Sequence, residues 1–183
     1  MRSCRHPRAQ IQQMRIISTA TLTLEPQTVA HADEMFAVLG DPAIYTYENE
    51  PPASVEWLRA RFARLESRQS ADGQEQWLNW VIRLPTSELI GFVQATVHAN
   101  GNAGIAYVLA SAYWGRGLAR AAVEAMMAEL VARYRVSNFS ALLKRNNIRS
   151  LRLLARLGFS LASAAEHAEN RVAQDELLMR QTR

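Results

Sequence analysis

Residues 104–126 read GIAYVLASAYWGRGLARAAVEAM, and this run decides how the chain folds. GIAYVLA is an apolar run of strand length, LARAAVEAM continues as a helix, and Gly115 and Gly117 stand between them around Arg116. Glycines at such a junction let the chain turn tightly and let a ligand approach the main chain without meeting a Cβ. The first N–H groups of the helix have no intrahelical acceptor and carry the positive end of the helix dipole, which suits a phosphate. Arg116 and Arg120 add formal charge nearby. A plain strand-to-helix turn is the alternative reading of the same spacing. A dinucleotide fingerprint would need a small residue in place of Arg120 and an acidic residue about 20 positions later, and a Walker A loop would need a Gly-Lys-Ser/Thr ending. Neither is present.

Working outward, WLNWVIRL (77–84), ELIGFVQATVH (88–98) and GIAYVLA (104–110) are strand-like, and the short links PTS and ANGNA predict antiparallel hairpins. Upstream, TATLTLEP (19–26) alternates as a strand, residues 28–41 predict a helix, and a second helix starts near Ser54 with the stripe Val55, Leu58, Phe62 and Leu65. Downstream, the helix from Gly117 runs to about Arg133. FSALLK then predicts a strand, 147–157 a short helix, and GFSLASAA and ELLMRQ two final strands. The order β, α, α, β, β, β, α, β, α, β, β describes one α/β domain.

The chain has 183 residues, 49% of them hydrophobic, enough for one sizeable core. Residues 1–13 are expected to form a basic, disordered extension, with Met14 a natural start and 14–183 the domain. Cys4 is the only cysteine, which excludes an intramolecular disulfide or a cysteine-based zinc site and suits a reducing cytoplasm. No apolar run approaches the roughly 18 residues of a membrane span, so a soluble cytoplasmic protein without a membrane partner is expected. The net charge is +4, but residues 14–114 hold 6 basic and 11 acidic residues, whereas 115–183 hold 12 basic and 6 acidic. That polarity, with no basic stretch interleaved with aromatics, argues against nucleic acid and for an anionic ligand on the second half.

The run 104–126 resembles the acetyl-CoA-binding core of the GNAT N-acetyltransferases, whose signature Gln/Arg-x-x-Gly-x-Gly/Ala stands here as WGRGLA. Trp114 replaces the leading Gln/Arg, as is usual in the RimJ/RimL-type branch that acetylates ribosomal-protein amino termini. TLTLEPQTVAHADEMFAVLGDPAIYTY, SELIGFVQ and NIRSLRLLARLGF match that branch in order, so the resemblance spans roughly residues 20–180 and implies the GNAT fold, a mixed, mostly antiparallel central sheet flanked by helices.

The resemblance implies that the CoA diphosphate sits on main-chain N–H groups of Gly115, Arg116, Gly117, Leu118 and Ala119, beside Trp114. It also implies that the pantetheine arm pairs like an added strand near Val108, Leu109 and Ala110, where the strand bulges and splays. By themselves those three side chains read as core. Asn147 and Ser150 read equally as a helix cap and, by resemblance, as a pantetheine ligand and the donor that protonates the departing thiolate. Arg149, Arg152 and Arg156 share one helix face, read as solvated, with CoA phosphates as the alternative.

The implied reaction is direct acetyl transfer from acetyl-CoA to a primary amine, without a metal, with a main-chain N–H at Leu109 meeting the oxyanion. Relatives often carry a glutamate before the Gly-Tyr of this strand, whereas Gly104 stands there. Glu48 and Glu50 of the TYENEPP loop are the candidate replacements for orienting or deprotonating the amine, and His98 is a third candidate. The acidic first half leans toward cationic acceptors, either a protein amino terminus or a small amine. A GNAT-fold module that binds an acyl-CoA or an effector without turnover is the alternative function. A homodimer, common among relatives, is not legible in the residues.

Overall fold

Thr19 shortens the first expected strand to its second half. Its hydroxyl donates to the Leu22 carbonyl at 2.9 Å and accepts from the Leu22 N–H at 3.0 Å, closing a turn between β1 (Ile17–Ser18) and β2 (Thr23–Pro26). The computed structural model of the protein describes residues 13–47 and 50–182. Cys4 and nearly all of the expected extension therefore lie outside the described residues.

After β2, the expected first helix shortens to a 3-10 turn and α1 (Ala32–Val38), and Pro42–Tyr45 form a second 3-10 turn. In α2 (Val55–Leu65) the Ser54 hydroxyl caps the start by accepting from the Trp57 N–H at 3.1 Å, and Leu58 and Phe62 are buried. The expected meander follows as β3 (Glu75–Arg83), β4 (Leu89–His98) and β5 (Asn102–Leu109). Next come α3 (Leu118–Tyr134), β6 (Asn138–Lys144), α4 (Ile148–Arg156) and β7 (Ser160–Leu161).

The expected strand GFSLASAA ends at Leu161. Ser163 and Glu166 form a capping box, with the Ser163 N–H donating to Glu166 Oε2 at 2.8 Å, and residues 164–169 turn into α5 (Ala164–Glu169) before β8 (Glu176–Thr182). The eight strands form one sheet in the order β1-β2-β3-β4-β5-β6-β8-β7, and only the β5–β6 pair is parallel. The mixed, mostly antiparallel α/β architecture is the expected one.

Each face of the sheet is covered. Trp80, Ile82, Val93 and Ile105 pack with Val123, Met126, Met127 and Leu130 of α3, while Val81 and Leu89 pack with Met35 of α1 and Leu58 and Phe62 of α2. The segment before β1 is pinned to α3, because Arg15 donates to buried Glu129 at 2.6 Å and the Arg15 carbonyl accepts from Trp80 Nε1 at 3.1 Å. Among the described residues no helix is long and apolar enough to cross a membrane.

Candidate active site

Strands β5 and β6 part company halfway along. They pair at Asn102–Asn138, Ala103–Phe139 and Gly104–Ser140, and then no further, although β5 continues to Leu109 and β6 to Lys144. Each strand follows its other neighbour: β4 holds β5 as far as Gly91–Leu109, and β8 holds β6 as far as Glu176–Lys144. The result is a wedge with Ala106, Tyr107 and Val108 on one wall and Ala141, Leu142 and Leu143 on the other.

Which main-chain groups face the wedge follows from register. The Ala110 N–H donates to the Ile90 carbonyl at 2.9 Å, so the groups of Ala110, Val108 and Ala106 point to β4 and those of Leu109 and Tyr107 to the open edge. The main chains of Val108 and Ala110, expected near the pantetheine arm, are directed at β4, and the Ala110 carbonyl also accepts from the Tyr113 N–H at 3.0 Å. The main chains of Leu109 and Tyr107 are the ones turned to the open edge. No register shift interrupts β5 against β4; the irregularity lies between β3 and β4, where Ile90 is the extra residue between the pairs Ile82–Gly91 and Arg83–Leu89.

At the end of β5 the chain passes through a 3-10 turn (Ser111–Tyr113) into the glycine turn. Gly115 and Gly117 take φ values of 75° and 77°, the left-handed region that favours glycine, and a Cβ on either would meet no heavy atom within 4 Å. None of the N–H groups of residues 115–120 donates to another described residue; the first internal bond is Ala121 N–H to the Gly117 carbonyl at 3.1 Å. Bare backbone, open space and unsatisfied donors at a helix start fit a diphosphate. Arg120 is paired with Glu124 at 2.9 Å and Arg116 lies over the Tyr113 ring, so the main chain is the principal donor.

Trp114 and α4 complete the walls. Trp114 Nε1 donates to the Leu109 carbonyl at 2.8 Å, and Arg149 lies 3.7 Å from the centroid of the indole, so the arginine expected to be solvated bridges α4 to the end of β5. Asn147 Oδ1 accepts from the Ser150 N–H at 3.1 Å, which caps α4 and leaves the Asn147 NH2 and the Ser150 hydroxyl for other partners. The half-buried Tyr107 phenol donates to the Ser150 carbonyl at 3.5 Å; desolvation raises its pKa, so it stays protonated.

Two cavities meet here. The larger, about 430 Å³, runs from the wedge beneath α2; the smaller, about 110 Å³, runs past Leu109, Trp114 and Ala119 toward the glycine turn. Ile44, Tyr47, Tyr107, Val108, Asn147 and Ser150 line both, so Asn147 and Ser150 stand at the junction. The loop carrying Ile44 and Tyr47 is tied to β5: the Ser111 N–H donates to Asp41 Oδ2 at 2.6 Å, and Ser111 holds that carboxyl below its ordinary pKa.

The carboxylate candidates divide. Glu50 lines the larger cavity, whereas Glu48 lies outside the described residues. His98 is not brought to the site: it ends β4 seven residues beyond Gly91, about 23 Å away at about 3.3 Å per residue, where it faces Glu75 at 4.0 Å. At Gly104 a Cβ would meet only Ser140 Oγ at 3.9 Å, so a side chain would fit where the chain has none. Among the described residues no group of three or more His, Cys, Asp or Glu is placed to hold a metal ion.

Comparison with known proteins agrees with this geometry. The chain is 26% identical over 148 residues to the uncharacterized N-acetyltransferase p20 of Bacillus licheniformis, covering 80% of this chain and 83% of that one. A putative GnaT-family acetyltransferase from Bordetella pertussis is 26% identical with a TM-score of 0.72, covering 92% of this chain and all of that one. RimL, a ribosomal L7/L12 alpha-N-protein acetyltransferase solved in complex with coenzyme A, shares the fold with a TM-score of 0.78 at 19% identity, covering 92% of this chain and 98% of that one. The family model of the acetyltransferase (GNAT) domain matches residues 21–160, well over half of the sequence, and the chain belongs to that family.

Proposed function

We propose that the protein moves an acetyl group from acetyl-CoA directly to a primary amine, either a protein amino terminus or a small amine. The observation that carries this reading is the junction of the two cavities, between a helix start with unbonded donors and a strand edge with no partner. Residues 115–119 hold the diphosphate, the open edge at Leu109 and Tyr107 pairs with the pantetheine arm, and Asn147 adds a side-chain donor. RimL, with which the chain shares its fold, holds coenzyme A.

At the junction each residue has a task. The Leu109 N–H faces the wedge and meets the charge that develops on the acetyl oxygen. The Ser150 hydroxyl protonates the leaving thiolate, whose ordinary pKa near 8.5 makes a nearby donor useful at neutral pH. Replacing it, Ser150→Ala should lower kcat about tenfold or more while the Kd for acetyl-CoA stays within about twofold. Stopped-flow thiol release together with calorimetry separates the two quantities.

Glu50 is the carboxylate of the cleft, and it is exposed, so the amine enters largely by its own deprotonation. For an α-amine, kcat/KM should rise with pH and level off near the amine's own pKa of about 8. A plateau already reached at pH 6 would require a stronger base than any described here. Incubation of acetyl-CoA with a panel of amines, followed by free-thiol detection, tests the whole reading. Thiol release that depends on an amine supports it, and tight acetyl-CoA binding with no release to any amine would indicate a binding module instead, the reading favoured by Gly104.

A further inference from the structure

The floor of the larger cavity carries two neutral amides, Gln27 and Gln94, with Asn79 between them in the sheet. Gln27 donates its main-chain N–H to the Asn79 carbonyl at 2.9 Å, Asn79 pairs with Gln94, and Gln94 pairs with Ala106 in the wedge. The next row, Glu25, Val81, Phe92 and Val108, lies on the α1–α2 face of the sheet; two residues along, with the same parity, the amides lie on that face too. Gln27 is only 2% exposed and Asn79 4%, Gln94 is half-buried, and Gln27 Nε2 is buried without a hydrogen-bond partner among the described residues. Gln27 and Gln94 line the cavity together with Phe62 and Leu65 of α2.

An unbonded amide at the depth of Gln27 is costly to a folded protein, which sets it apart from ordinary packing. Its position is also specific. Gln94 is one strand spacing, about 5 Å, from Ala106, and Gln27 lies about 14 Å from it, so the row extends from the transfer junction beneath α2.

Among the described residues Glu50 and Arg61 are the charged residues lining the cavity, and half-buried Arg68 donates to the Gln27 carbonyl at the end of the row. The acidic surplus of the first half is engaged elsewhere, Glu25 and Glu34 with Arg83 and Asp33 with Arg59. The cleft therefore does not favour the cationic acceptors that the sequence leaned toward. Side-chain amides offer both a donor and an acceptor, which complements uncharged amide, carbonyl or hydroxyl groups.

We propose that the Gln27–Asn79–Gln94 row selects the acceptor, taking a primary amine whose body is uncharged and hydrogen-bonding in preference to a polycation. This rests on the acetyltransferase reading above. The test compares alanylalanine amide, n-pentylamine and spermidine as acceptors for the full chain and for Gln27→Met, which keeps the length of the side chain and removes its hydrogen bonds. The dipeptide amide should exceed spermidine in kcat/KM by about tenfold or more. Gln27→Met should lower that value about tenfold, mainly through KM, and leave n-pentylamine and the Kd for acetyl-CoA unchanged, as the loss of a hydrogen bond to a neutral group predicts.

Preference for spermidine, or a Gln27→Met protein that changes only in Tm, overturns the assignment while leaving the acetyltransferase reading intact. If no amine is acetylated, that reading fails separately, and calorimetric binding of alanylalanine amide to the CoA-loaded protein decides the row. Weakening of about tenfold in Gln27→Met supports it, and equal binding or no binding overturns it.

Discussion

Gly91→Ala should unfold the protein by roughly 10 °C or more in Tm and abolish acetyl transfer in what remains folded. A Cβ on Gly91 would lie 2.0 Å from the Val108 carbonyl oxygen and 2.9 Å from Leu109 Cα. Both are main-chain atoms, so no side chain can swing away; β4 and β5 would have to separate. A core that is close-packed on both faces resists that, and the cost belongs with the rare changes above about 4 kcal/mol. The displaced segment is the edge that faces the wedge, so activity should fall further than stability. Thermal denaturation and thiol release on the same preparation check both, and a Tm within about 2 °C of the parent would show that the two strands do not approach this closely.

Gly117→Val should do the reverse, leaving the fold nearly intact while removing the cofactor. No atom lies near the position a Cβ would take, so packing is untouched, and the left-handed conformation costs a branched residue about 1–2 kcal/mol. A Tm lower by about 4 °C is expected from that cost. Binding of CoA should weaken about a hundredfold or more, because the branched side chain occupies the approach and retraction of the turn misaligns several donors together. Titration calorimetry reads the affinity. A loss below about threefold would mean that the glycines only turn strand into helix.

The sequence disclosed the elements whose signal is local. The β3–β5 meander was legible from its apolar runs and short links, and the start of α3 from its glycines, because neither depends on distant residues. Two local signals were passed over: Thr19, which closes a turn inside the first apparent strand, and the Ser163–Glu166 spacing, which announces α5.

Other features could not be read without register. Whether Val108 or Leu109 faces the wedge depends on which of them pairs with β4, a one-residue question that alternating side chains leave open. His98 has suitable chemistry but stands at the wrong end of its strand. The row of amides requires three strands to be aligned before Gln27, Asn79 and Gln94 become neighbours, and the stacking of Arg149 on Trp114 requires α4 to be docked across the end of β5.

The most direct test compares calorimetric titrations of the purified full chain with coenzyme A and with pantetheine, which has the same thiol arm and no diphosphate. If the donors at residues 115–119 grip the diphosphate and the arm lies along the open edge of β5, coenzyme A should bind with a Kd on the order of micromolar and pantetheine at least about a hundredfold more weakly. Equal affinities, or no heat with coenzyme A, would contradict the account.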